Sequence, residues 1–60
     1  MSVTVPESVV ETTRVASAGR GTRRMELLME YVTPLLEDGE SVVAWTRNDD
    51  GDLVAVTEKA

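Results

Sequence analysis

The sequence contains neither cysteine nor histidine, and those two absences exclude more chemistry than any residue present suggests. Without cysteine there is no disulfide and no thiolate nucleophile, and without histidine there is no imidazole base or catalytic triad built on one. Together they remove the usual zinc ligand sets. Phenylalanine is missing as well, so Trp45 and Tyr31 are the only aromatics. The remaining apolar residues are mostly small ones such as Val and Ala, and each takes little surface out of water when buried. No run approaches the roughly 18 apolar residues of a membrane span. Met1–Pro6 also lacks the basic segment and apolar core of a secretory signal. These absences lead us to expect a cytoplasmic chain with no membrane partner, no metal and no cofactor.

Sixty residues make a single small domain spanning 1–60, with residues 1–7 as a loosely ordered start. Folding at this size removes only about 60% of the surface that an unfolded chain exposes, and small domains commonly rely on disulfides, a metal or a partner chain. With the first two excluded, a homo-oligomer, most simply a dimer, is the expected source of additional burial. The net charge of −5 is unevenly spread, since residues 1–24 sum to +2 and residues 25–60 to −7. Binding follows the local field, so the overall sign does not exclude an anionic partner.

Along the chain, Ser2–Val5 is a short β-prone run stopped by Pro6. The Val- and Thr-rich stretch Ser8–Ala16 reads as a second strand with Val9, Thr13 and Val15 on one face. Ser17–Gly21 is a loop carrying two glycines. A helix is expected from an N-cap at Thr22 to about Val32 or Glu37, with Gly39 as its stop. Pro34 lacks the donor and collides with the carbonyl of Glu30, which predicts a kink or break near Tyr31–Thr33. Glu26, Glu30, Thr33 and Glu37 form one narrow polar stripe, and nearly everything else on this helix is apolar. Such a helix must be covered on more than one side. One small sheet covers one side, so Met25, Leu28, Met29, Val32, Leu35 and Leu36 are the candidate oligomer interface, paired with the same helix of another copy.

Ser41–Arg47 and Asp52–Glu58 flank Asn48-Asp49-Asp50-Gly51 and predict a hairpin in which Gly51 supplies the left-handed residue. A loop of two or four residues places Val43, Trp45, Val54 and Val56 on the face toward the helix, and Val42, Ala44, Leu53 and Ala55 on the other. The expected class is therefore α+β. A small antiparallel sheet, made of the N-terminal strand and the C-terminal hairpin, packs on one helix and is completed by dimerisation.

Few residues carry a chemical signal. Glu26 and Glu30 lie one helical turn apart, but nothing places them in a dry pocket. The acidic run at 48–52 fails as a calcium loop, because placing Gly51 sixth makes Thr46 the first ligand and Thr57 the closing acid. Gly19-Arg20-Gly21 lacks the further glycine and the Lys-Ser or Lys-Thr pair of a phosphate loop. Arg20, Arg23 and Arg24 are the exception, since they stand where a helix macrodipole is already positive and carboxylates would be stabilising. Three guanidinium groups beside free backbone donors make a phosphate-binding cluster. The alternative is that these arginines pair with acids of the same or a neighbouring subunit.

The helix Met25–Val32, followed by Gly39-Glu40-Ser41-Val42-Val43, Thr46-Arg47, Gly51 and Leu53-Val54-Ala55-Val56, resembles the DNA-binding half of the Phd/YefM antitoxins. The likeness covers about residues 22–57. It implies a homodimeric transcriptional regulator whose helix N-termini touch duplex DNA, and it gives Arg20, Arg23, Arg24 and Arg47 that role. The opening Val3-Thr4-Val5-Pro6-Glu7 is similar to AbrB-type swapped-hairpin regulators, which also bind DNA as dimers. A second functional expectation comes from the acidic surface: a non-enzymatic inhibitor or adaptor that binds a protein partner through its Glu and Asp residues.

Overall fold

Pro6 both ends the first strand and starts a helix. In the computed structural model, which describes all sixty residues, strand β1 (Ser2–Val5) is followed by helix α1 (Glu7–Ala16). The Pro6 carbonyl accepts from the amides of Val9 and Val10. Ser8–Ala16 is thus a helix, which corrects the strand expected from its β-branched residues. The burial pattern explains why, since Val10, Thr13 and Ser17 are buried at spacings of three and four, the period of a helical stripe. Glu7 in the first turn and Arg14 in the last suit the macrodipole. The hydroxyls of Thr12 and Thr13 donate back to the Ser8 and Val10 carbonyls, satisfying groups that would otherwise compete with the helix.

Ala18 and Gly19 then adopt positive φ values of 51° and 79° and turn the chain into helix α2 (Gly21–Val32). The N-cap is Arg20, with no side-chain acceptor on the helix amides, so Thr22 lies inside the first turn rather than capping it. The α-helix stops at Val32, and a single 3-10 turn over Thr33–Leu35 carries Pro34. This is the break that proline requires.

Strands β2 (Glu40–Arg47) and β3 (Leu53–Lys59) complete the fold. The sheet is antiparallel throughout with order β1-β3-β2, so the N-terminal strand lies beside the last one. Arg47 pairs with Leu53 and Trp45 with Ala55, leaving five residues, Asn48–Asp52, in the loop. A two- or four-residue loop would have shifted this register by one, and a one-residue shift exchanges the two faces. Trp45 points toward the helices as expected, but Leu53 and Ala55 join it there while Val54 and Val56 point away, reversing the expected assignment on β3. Val43 is left unpaired by an irregularity between Val42 and Ala44, which returns Val42 to the helix side.

The buried core is Val5, Val10, Leu28, Val32 and Ala55, flanked by Val3, Val9, Tyr31, Leu36, Val42, Trp45 and Leu53. Helix α2 has the sheet on one side and α1 on another, so its second cover comes from its own chain. Leu28 and Val32, at 5% and 0% exposure, belong to this core and are not free for a partner. Of the six expected interface residues only Met25 at 44% and Leu35 at 53% are open. Met29 is partly buried, and Leu36 packs against the core. The accessible surface of 4056 Å² is close to the about 3,800 Å² expected of a compact monomer of this mass.

Candidate nucleic-acid interface

The turn from α1 into α2 presents the first α2 amides to solvent. Arg20 is extended, with φ −81° and ψ 112°, and its amide donates to the Ser17 carbonyl at 3.0 Å. No acid lies in the first turn of α2 and no side chain caps it, so the positive end of the helix is neutralised neither by a carboxylate nor by a hydroxyl. Arg20 and Arg23 border a depression here together with Ala18, Gly21, Thr22 and the Glu26 carboxylate.

Gly21 also borders a second depression, a groove of about 330 Å³ between the start of α2 and the hairpin end of the sheet. Its walls are Arg24, Met25 and Leu28 from α2 and Trp45, Arg47 and Leu53 from the strands. The register explains this meeting, because Trp45, Arg47 and Leu53 all lie on the helix-facing side of the sheet. The four arginines singled out by sequence thus surround Gly21 in two adjoining depressions. Trp45 is the member that sequence reasoning missed, since its expected place was the middle of the core face. Its position two residues from Arg47 on the same strand face was the available signal.

The charges around the groove are unequally satisfied. Arg14 pairs with Glu11, Arg23 with Glu26 at 3.0 Å and Lys59 with Glu37 at 2.6 Å. Each pair is half exposed and contributes little to stability. Arg20, Arg24 and Arg47 make no such pair, although the chain carries eleven carboxylates. Intrachain ion pairing therefore accounts for Arg23 and leaves the other three arginines without a carboxylate partner. The Nε of Arg24 is buried with no hydrogen-bond partner. Arg47 donates to the Gly51 carbonyl at 2.9 Å, which folds its side chain along the hairpin loop.

Apart from Glu26, which lines the first depression beside Arg23, the carboxylates lie elsewhere. Glu26 and Glu30 are exposed on the outer face of α2, and no cluster of three metal-ligating side chains occurs. Asp49 and Asp50 are exposed in the hairpin loop, which Asn48 organises by accepting from the amides of Asp50 and Asp52 at 3.0 and 2.9 Å. Glu40 joins the two ends of the fold. Its carboxylate accepts from the Thr57 hydroxyl at 2.6 Å and from the Glu37 amide at 2.9 Å. These bonds, the Thr57 one foremost, hold its pKa below the ordinary 4.5.

The chain matches no protein-family model, no curated protein and no solved structure. No helix is long and apolar enough to cross a membrane.

Proposed function

We propose that this chain is a small nucleic-acid-binding regulator, acting on duplex DNA as a homodimer, with the arginines at the start of α2 on the phosphates. One observation carries the reading. In a chain with nearly twice as many acids as cations, the three arginines that pair with no carboxylate converge on one uncapped helix end. Guanidinium groups without a carboxylate partner are available to phosphate oxygens, Arg47 through the donors it does not spend on the Gly51 carbonyl, and exposed backbone amides add to the attraction. The reading is one of binding without catalysis.

Salt tests it. Duplex affinity should fall linearly with the logarithm of salt concentration, with a slope of about 0.9 per phosphate contact. Arg24→Ala and Arg47→Ala should each flatten that slope by roughly one contact. Fluorescence anisotropy with a labelled duplex reads both, and an absence of binding at low salt removes the reading.

A second reading has its own support. The exposed Asp49 and Asp50 at the hairpin tip and the −7 carried by residues 25–60 suit a basic protein partner. A partner whose capture survives the double change of Arg24 and Arg47 to Ala, but is lost in Asp49→Asn/Asp50→Asn, would favour that reading over the first.

A further inference from the structure

We propose that the groove between α2 and the hairpin takes a single unstacked nucleotide of a nucleic-acid chain, with its base against Trp45 and its phosphate on Arg24 and Arg47. The inference rests on the phosphate contacts of the reading above and adds a single-stranded ligand to it, because a duplex offers phosphates but keeps its base faces covered.

The composition of the groove specifies the ligand. Met25, Leu28, Leu53 and the Trp45 indole supply an apolar surface, two arginines supply positive charge, and no carboxylate lines it. Binding to phosphates alone needs no apolar wall. A ligand matching both halves carries an anion on a flat, weakly polar body, and a nucleotide has that form. Trp45 is one of only two aromatics in the chain and remains partly exposed, whereas base stacking on such rings is a main source of affinity for single strands. The buried, unpartnered Nε of Arg24 belongs to a side chain on the groove wall, so a phosphate there would meet a cation without a competing intramolecular acceptor. A volume of about 330 Å³ lies at the small end of ligand sites, roughly 300–1,000 Å³. It suits one nucleotide rather than several. Arg20, on the far side of Gly21, lies where an adjoining phosphate of a bound strand would continue, beside the Arg23–Glu26 pair.

Trp45 is the sole tryptophan and therefore reports on its own site. The full chain is titrated at low salt with oligothymidine of about twelve nucleotides, a length within known single-strand site sizes, and with a mixed-sequence duplex. Oligothymidine should quench Trp45 emission strongly, and the duplex should bind with little quenching. Trp45→Ala should weaken oligothymidine about 10- to 100-fold, and Trp45→Phe, which keeps a stacking ring, should stay within a few-fold of the parent. Circular dichroism of both variants separates a lost ring from a lost fold, and should Trp45→Ala unfold, the quenching and the Phe variant still decide. Binding of both nucleic acids with unchanged Trp45 emission overturns the inference but leaves the phosphate reading intact. Binding of neither removes both. An acidic peptide rich in Glu and Phe that quenches as strongly as oligothymidine assigns the groove to a protein partner and overturns the inference as well.

Discussion

Glu40 shows how a single side chain ties distant parts of this chain together. It stands at the first residue of β2, and its carboxylate accepts from the Thr57 hydroxyl on β3 and from the Glu37 amide in the preceding turn. Both donors favour the charged form, which is why its pKa lies below 4.5. Because the folded value is depressed, the contribution to stability is present above 4.5 and is lost as pH falls through the folded pKa. A carbon-detected NMR titration should place the Glu40 midpoint below that of an ordinary glutamate. Thr57→Val, which removes the hydroxyl while keeping the side-chain shape, should move the midpoint upward. An unmoved midpoint in that variant would show that the hydroxyl is not the cause.

The elements differ in how clearly the sequence announced them. The N-terminal strand, the hairpin and the proline-terminated helix were legible because each rests on a local rule: a β-prone run before Pro6, a Gly51 at φ 82°, a missing donor at Pro34. Helix α1 was not, because Val9, Val10, Thr12, Thr13 and Val15 have β-prone side chains and the helical spacing of Val10, Thr13 and Ser17 competes with an equally visible alternation. Tertiary packing against Val5, Leu28 and Val32 settles the contest. The expectation that another copy covers α2 grew from that error, since α1 supplies this cover within the chain. The two readings make opposite demands on stability. Val10 is fully buried and Val15 is 77% exposed, so Val10→Ala should cost about 2 kcal/mol and Val15→Ala less than about 0.5 kcal/mol. A strand with Val9, Thr13 and Val15 inward would reverse that order in urea denaturation.

At the scale of the whole molecule, the candidate site was half legible. The arginines broke a local rule, since cations at a helix start oppose the macrodipole, and that anomaly is visible in any sequence with a definable helix. Trp45 was expected on the helix-facing side and lies there, but the five-residue loop that sets the register has no unique sequence signature, so a shift of one residue hid Leu53, the groove wall opposite Arg47. The same shift exposes another surface. Ser2, Thr4, Ala44, Thr46, Val54 and Val56 lie across the sheet from the helices and are uncharged, with the Glu58 carboxylate, opposite Ser41, at the end of that face. For two copies carrying −5 each, this is a surface on which they could meet with few opposing carboxylates, and a two-fold axis would set it against itself. The homodimer in the proposed function is accordingly expected through the sheet and not through α2. Sedimentation at micromolar concentration should return twice the single-chain mass, and Val56→Lys, which sets two cations against each other across the axis, should return the single-chain mass with the fold intact by circular dichroism. Salt supplies an independent check, because screening weakens the repulsion between two acidic chains and weakens phosphate binding as well. Raising it should tighten the dimer while loosening nucleic acid. A parent chain that sediments alone at high salt would remove the dimer from the proposal, and the arginine groove, which lies on the opposite side of the sheet, would stand without it.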